Sequence, residues 1–98
     1  MYESKLKSPE MDSLFGAILH LENEEECYRF FEDLCTINEL QAMAQRYAVA
    51  HMLENKETYS EVAEKTGASS ATISRVNRSL MYGAKGYRLA LDREKQEK

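Results

Sequence analysis

The segment from Thr58 to Met81 constrains the fold more than any other part of this chain. Gly67 lies near its centre and can take the left-handed backbone conformation that a residue with a Cβ resists, which predicts a tight turn. Small and β-branched residues flank this turn at helical spacing, where two helices would touch: Val62, Ala63, Ile73 and Val76. The pattern predicts a helix-turn-helix, whose second helix lies in the major groove of DNA. The alternative is an ordinary hairpin of two helices in a small bundle.

Charge is distributed unevenly along the chain, whose net charge is −4. Residues 1–57 contain five lysines and arginines against twelve acidic residues, whereas residues 58–98 contain eight against five. No acidic residue lies between Thr66 and Leu91. Because salt confines the attraction of phosphates to about 8 Å under physiological conditions, the C-terminal half can face DNA despite the acidic N-terminal half. The asymmetry predicts weak non-specific DNA binding.

Hydrophobic periodicity predicts an all-α chain of about six helices without strands. We expect a single domain over residues 1–98 because a chain of this length carries one core. Its predicted parts are dimerisation helices over residues 9–35, a long central helix over 36–55, the helix-turn-helix over 58–82, and a C-terminal helix with a charged tail over 86–98. The tail, from Asp92 onward, is dominated by charged residues and is expected to be disordered.

The N-terminal helices carry more aromatic surface than one short chain can cover. Phe15, Phe30 and Phe31 fall within a few helical turns. A chain of this size buries only about 60–65% of the surface that it exposes when unfolded. We therefore expect a homodimer, joined through these helices and the last one. The alternative is a monomer whose N-terminal helices fold back onto its own helix-turn-helix.

Several other classes of protein are disfavoured by the sequence. No apolar run approaches the roughly 20 residues that span a membrane, and no signal peptide opens the chain. Cys27 and Cys35 are expected to be buried, reduced thiols, as in a cytoplasmic protein, and the alternative is a disulfide between them. His20 and His51 lack partners at metal-ligand spacing, so no metal site is expected. Neither a phosphate-binding loop nor a nucleophile elbow is found, and we expect no enzyme activity and no cofactor.

Short polar side chains at the start of the second helix are suited to reading base edges directly or through water. Base contacts are expected from Ser69, Ser70, Ala71, Thr72 and Ser74. Contacts to phosphates are expected from Thr58, Tyr59, Ser60, Arg75 and Arg78. The function predicted is therefore a dimeric, sequence-specific regulator of transcription that binds double-stranded DNA. The alternative is a protein-interaction or adaptor module that keeps the helix-turn-helix as a scaffold.

Two stretches of the chain form a recognisable family pattern. The first is C-T-I-N-E-L-Q-A-M-A-Q-R-Y, from Cys35 to Tyr47, and the second is S-E-V-A-E-K-T-G-A-S-S-A-T-I-S-R-V-N-R-S-L, from Ser60 to Leu80. Together they resemble the Trp repressor family, and within it the YerC/YecD-type branch. The resemblance implies a repressor-like intertwined homodimer, in which the N-terminal and C-terminal helices wrap around the partner chain.

The resemblance also implies a small-molecule pocket between the helix-turn-helix and the dimer core. The family's pocket residues correspond to Thr36, Arg46, Arg75 and Ser79. Two guanidiniums in one pocket favour an anion such as a carboxylate. Val76 stands where the family has a glycine beside the indole, so the resemblance implies an anionic effector other than tryptophan. The alternative is that both arginines are surface residues that meet carboxylates or DNA phosphates.

Overall fold

A computed structural model describes residues 2–97, which form six helices and no strand. The helices are α1 (Pro9–Leu19), α2 (Glu24–Leu34), α3 (Ile37–Glu54), α4 (Tyr59–Thr66), α5 (Ser70–Tyr82) and α6 (Gly86–Gln96). The prediction of an all-α chain with about six helices is confirmed. Over the described residues, no helix combines the length and the apolar character needed to cross a membrane. The chain divides into an N-terminal unit, Met1–Ile37, and a C-terminal unit, Asn38–Lys98; the single-domain assignment stays a prediction.

The two helices of the N-terminal unit begin at side-chain caps that the sequence encodes locally. The Ser8 hydroxyl accepts a hydrogen bond from the backbone N–H of Met11 at 3.1 Å, and Pro9 opens α1. Asn23 caps α2 in the same way, because its Oδ1 accepts from the N–H of Glu26 at 2.9 Å. These bonds satisfy amide groups that have no partner inside the helix, so each helix starts at a defined residue.

The apolar side chains of the N-terminal unit are largely uncovered within one chain. Neither α1 nor α2 contains a buried residue. The expectation that the two thiols are buried is wrong, because Cys27 is exposed and Cys35 is partly exposed, although both are free. Phe15 is 52% exposed, Tyr28 is 65% exposed and Leu19 is 83% exposed. Exposed apolar surface of this extent is typical of protein–protein interfaces and unusual on the surface of a monomer.

The C-terminal unit contains every buried residue of the described chain. The core consists of Val49, Ala50, Val62, Ala68, Ile73, Val76 and Leu91. These residues come from α3, α4, α5, α6 and the turn between α4 and α5, so α3 shares one core with the helix pair. The predicted contacts of Val62, Ile73 and Val76 are present, and Ala63 packs against them at the edge of the core.

Helix α5 ends at Tyr82 and is capped by Gly83, where a residue with a Cβ would force the backbone to shift. A Cβ at this position would lie 2.5 Å from the backbone oxygen of Ser79, closer than atoms can approach. The backbone N–H of Gly83 donates to that same oxygen at 2.9 Å. The chain can therefore leave α5 abruptly and start α6 three residues later.

The prediction of a disordered tail from Asp92 onward is wrong for most of that segment, because α6 continues through Gln96. Glu94 accepts a hydrogen bond from the Tyr47 hydroxyl at 2.8 Å and lies 2.7 Å from Nε2 of His51. Lys95 donates to Glu54 at 2.8 Å. These bonds to α3 hold the charged segment in a helix, although its composition alone resembles that of a disordered chain. Lys98, the last residue of the predicted tail, lies outside the described residues.

A second ion-pair cluster joins α3 to α6. Glu54 accepts from Nη1 of Arg88 at 2.8 Å and from the Lys95 ammonium at 2.8 Å. The hydrogen bond from Arg88 is the main cause of a pKa of about 2 for Glu54, followed by the bond from Lys95. The Glu54 side chain is 18% exposed, so solvent screens this cluster less than an ordinary surface ion pair.

We expect Glu54→Gln to flatten part of the pH dependence of stability. The carboxyl is protonated near its ordinary pKa of 4.5 when the chain is unfolded, but only near 2 when it is folded. Its stabilisation, about 1–2 kcal/mol after screening, is present above pH 4.5 and is lost as the pH falls towards 2. Thermal melts of the wild-type and Glu54→Gln chains between pH 4.5 and about pH 2 would measure the difference in stability. Glu97→Gln, at an exposed position, is the control, and an equal fall in melting temperature for wild type and Glu54→Gln would contradict the expectation.

Candidate nucleic-acid interface and adjoining cavity

The turn between α4 and α5 is fixed by the backbone conformation of Gly67 and by hydrogen bonds of the Thr66 side chain. Gly67 ends α4 with a φ of 73°, the left-handed conformation predicted for it. The Thr66 hydroxyl donates to the backbone oxygen of Val62 at 2.7 Å and accepts from the N–H of Ala68 at 3.1 Å. Ala68 is itself buried in the core. The turn is therefore held rigidly, and with it the direction in which α5 leaves.

Sequence reasoning missed one support of this turn, Gln45. Its side-chain Nε2 donates to the backbone oxygen of Thr66 at 3.0 Å, so α3 is bonded directly to the end of α4. The two residues are 21 positions apart, and no local pattern indicates the contact. Gln45 thus fixes the start of α5 relative to α3.

Helix α5 presents two different faces. Ile73 and Val76 point into the core, with Leu80 at its edge. Five of the predicted contact residues on α5 are exposed, and each has another of the five three or four positions away: Ser70, Ala71, Ser74, Arg75 and Arg78. Thr72, the sixth on this helix, is partly buried. Because helical residues three and four positions apart share one side of the helix, the five exposed side chains form one outward surface, termed here the reading face.

Two of the predicted base-contact residues also have a structural role. The Ser69 hydroxyl accepts from the backbone N–H of Thr72 at 3.1 Å, which caps α5, and donates to the Thr72 hydroxyl at 3.1 Å. Ser70 and Ser74, by contrast, form no side-chain hydrogen bond within residues 2–97 and are free to bind elsewhere. The reading face therefore starts from a fixed helix terminus and carries free hydroxyls.

The start of α4 contains the remaining predicted contact residues, Thr58, Tyr59 and Ser60, and all three are exposed. Thr58 forms a capping box with Glu61, in which the Thr58 N–H donates to the Glu61 carboxylate at 2.8 Å and the Glu61 N–H donates to Oγ1 of Thr58 at 3.1 Å. The bond from the Thr58 N–H lowers the pKa of Glu61. A carboxylate thus stands at this helix terminus, so a phosphate there would be bound by side-chain hydroxyls rather than by the helix dipole.

The arginines of α5 have no acidic partner in the part of the chain that is described. Neither Arg75 nor Arg78 forms an ion pair there, whereas Arg29 and Arg88 each pair with a carboxylate. The segment that follows the turn therefore keeps unneutralised positive charge, as a surface for phosphates requires.

A cavity of about 310 Å³ lies beside α5, on the side of Arg75. It is lined by Arg46, Arg75, Val76, Ser79 and Tyr87. Three of the predicted effector residues are brought together here: Arg46 from α3, and Arg75 and Ser79 from α5. Thr36, the fourth, is exposed and belongs to the N-terminal unit.

Tyr87 is the lining residue that sequence reasoning did not place in the pocket. It is the second residue of α6, and its ring stacks on that of Tyr47, with centroids 6.5 Å apart and planes 24° from parallel. The stacking fixes the ring at the wall of the cavity.

Comparisons with known proteins identify the family to which this chain belongs. The family model of the Trp repressor protein matches residues 9–95. The uncharacterized protein YerC of Bacillus subtilis (strain 168) is 56% identical over 96 residues, which cover 98% of this chain and 92% of that protein. The chain belongs to the Trp repressor family.

Solved structures agree with the assignment to the Trp repressor family. A candidate Trp repressor from Staphylococcus aureus superposes with a TM-score of 0.89 at 53% identity, over 93% of this chain and 91% of that one. A TrpR-like protein from Eubacterium eligens ATCC 27750 gives 0.88 at 56% identity, over 91% and 92%. The YerC-type branch indicated by the sequence is confirmed, and the Trp repressor family is one of DNA-binding regulators rather than enzymes.

Proposed function

We propose that this chain is a sequence-specific DNA-binding regulator of transcription that acts as a repressor-like homodimer in the cytoplasm. The observation that carries the proposal is the reading face of α5, where short polar side chains and two arginines without acidic partners stand opposite the core. An N-terminus capped by Ser69 and a turn held by Gln45 would let the first turn of α5 enter the major groove in one orientation.

In this proposal one group of residues contacts the bases of DNA and another contacts its phosphates. Ser69, Ser70, Ala71, Thr72 and Ser74 meet base edges directly or through water. Arg75 and Arg78, with Thr58, Tyr59 and Ser60 from the start of α4, bind phosphates and fix the register. The dimer places two such faces on half-sites about one DNA turn apart, or a multiple of it.

Arg78→Ala is expected to weaken binding to all DNA sequences alike. Arg78 is exposed and carries no ion pair within the described residues, so its removal should not disturb the fold. The loss of one phosphate contact should reduce the slope of log affinity against log salt by about one unit. Fluorescence anisotropy over a salt series would measure the slope. Loss of discrimination between sequences, with the slope unchanged, would instead make Arg78 a base-reading residue.

The cavity beside Arg75 supports control by a small anionic effector. Arg46 belongs to α3 and Arg75 to α5, so an anion held by both would tie the reading helix to the helix beneath it. An effector of this kind would bias the orientation of α5 and, through it, the affinity for DNA.

Measurement of DNA affinity over a range of salt concentrations tests the proposal against the adaptor alternative. A DNA-binding regulator loses affinity steeply as salt rises, because each phosphate contact releases counterions. An adaptor that keeps the helix-turn-helix only as a scaffold binds no DNA even at low salt. The full chain is expected to show the steep dependence.

A further inference from the structure

Two kinds of contact join the helix-turn-helix to α3, and they differ in how strongly they fix its orientation. Val49 of α3 shares the core with Val62 of α4 and Ile73 of α5. Apolar attraction of this kind is non-directional, so it restricts the rotation of one helix against another less than a directional bond does. The hydrogen bond from Gln45 to the backbone oxygen of Thr66, at 3.0 Å, is directional, because it weakens steeply when donor and acceptor are misaligned.

The Gln45 bond lies close to the residues that are proposed to contact bases. Its acceptor belongs to the last residue of α4, and Ser70, the first residue of α5, follows four positions later. The turn between them cannot absorb a displacement, because the Thr66 hydroxyl is bonded to the backbone of Val62 on one side and of Ala68 on the other. A shift of the Thr66 backbone would therefore move the first turn of α5.

Other polar side chains of α3 bind a different helix. Tyr47 donates to Glu94 at 2.8 Å, and Glu54 accepts from Arg88 at 2.8 Å, so the partners of both lie on α6. Gln45 instead binds the backbone of α4, and it must present its amide nitrogen there because a carbonyl oxygen can only accept. The Gln45 bond therefore acts on the helix that leads into α5 and not on α6.

A fixed orientation of α5 matters more for a specific DNA complex than for a non-specific one. Contacts to base edges in the major groove require the reading face in one position, whereas attraction to phosphates tolerates many orientations. A reading helix that is already held in place loses less conformational freedom when base contacts form. The benefit of the Gln45 bond should therefore appear in the specific complex.

We propose that Gln45 is a positioning residue for sequence discrimination, which acts through the Thr66 backbone and holds the first turn of α5 in the orientation that reads bases. Gln45 need not touch DNA for this purpose. The inference rests on the proposed function. It adds a residue of α3, outside the helix-turn-helix, that sets how sharply the chain distinguishes one DNA sequence from another.

Gln45→Met tests the assignment, because methionine has a similar length and no hydrogen-bond donor. The affinity of the full chain for a DNA site selected from a random pool is expected to fall by about three- to tenfold, the effect of one hydrogen bond. Affinity for a duplex of scrambled sequence should stay within about twofold, because phosphate contacts dominate it. Fluorescence anisotropy with both duplexes gives the ratio of the two affinities. A purely structural role would lower both affinities alike and leave the ratio unchanged.

Gln41→Met and Tyr47→Phe are the matched controls. Gln41 lies one helical turn earlier on α3, is exposed and forms no side-chain hydrogen bond within residues 2–97, so its replacement repeats the substitution without breaking a bond. Tyr47→Phe removes a hydrogen bond between α3 and α6 and keeps the aromatic ring. Both controls should discriminate between the two duplexes as the wild-type chain does. An equal loss of discrimination in either control, or full discrimination in Gln45→Met, would overturn the inference.

A second measurement needs no variant. In the wild-type chain without DNA, NMR should show slower exchange with solvent for the side-chain amide protons of Gln45 than for those of Gln41. Equal exchange at the two positions would contradict the bond and the inference with it. A wild-type chain that prefers no DNA sequence contradicts the proposed function, and this inference falls with it, whereas unchanged discrimination in Gln45→Met contradicts the inference alone.

Discussion

Ser70→Glu is expected to abolish specific DNA binding while the fold is kept. Ser70 is the first residue of α5, is exposed and forms no side-chain hydrogen bond within the described chain. A carboxylate there would meet base-edge acceptors and phosphates, and such repulsion costs several kcal/mol, or roughly 100-fold or more in affinity. Acidic residues are favourable in the first turn of a helix, so helix content should not fall. Gel shifts on a DNA site selected from a random pool would measure the affinity, and circular dichroism would measure the helix content.

Ser70→Ala is the matched control for this experiment. It removes the hydroxyl without adding charge, so affinity should fall by no more than about tenfold. Operator affinity that is unchanged in Ser70→Glu would remove the first turn of α5 from the interface and contradict the reading face as defined here.

Phe15→Asp is expected to convert the proposed homodimer into monomers. Phe15 is 52% exposed on α1, a helix without any buried residue in the single chain. Burial of such a side chain contributes about 1.5–3 kcal/mol, and two-fold symmetry repeats the contact in a dimer. The loss of both contacts, together with a carboxylate in an apolar interface, should weaken dimerisation by about 100-fold or more. Light scattering at micromolar concentration would record the change in mass.

Phe15→Leu keeps an apolar side chain at the same position and should stay dimeric. The C-terminal unit has its own core, so Phe15→Asp should retain the helices of residues 38–98. A wild-type chain that is a well-folded monomer at micromolar concentration would contradict the dimer, as would equal association of the wild-type and Phe15→Asp chains.

Features encoded by neighbouring residues could be predicted from the sequence. The caps at Asn23 and Thr58 and the left-handed turn at Gly67 depend on side chains within three residues of the bonds that they form. The start of α5 at Ser70, after its cap Ser69, is of the same kind. From such a defined start, helical periodicity predicts which side of α5 is exposed. Whether that side contacts DNA stays a prediction.

Contacts between distant residues could not be predicted in the same way. The bond from Gln45 to Thr66 and that from Arg88 to Glu54 join positions 21 and 34 apart, which only the packed helices bring together. The prediction of a disordered tail failed because the residues that hold the charged end of α6, Tyr47 and Glu54, lie far away in the sequence, on α3. For the cavity, family resemblance supplied Arg46, Arg75 and Ser79, but Tyr87 required the structure.

Selection of bound sequences from a pool of random DNA tests the central claim most directly. The full chain is expected to enrich a two-fold symmetric site whose half-sites are centred about one DNA turn (~34 Å) apart, or a multiple of it. The Ser70→Glu chain, carried through the same selection, should enrich nothing. A wild-type pool that stays indistinguishable from the starting pool after repeated rounds at low salt would contradict sequence-specific DNA binding by this chain.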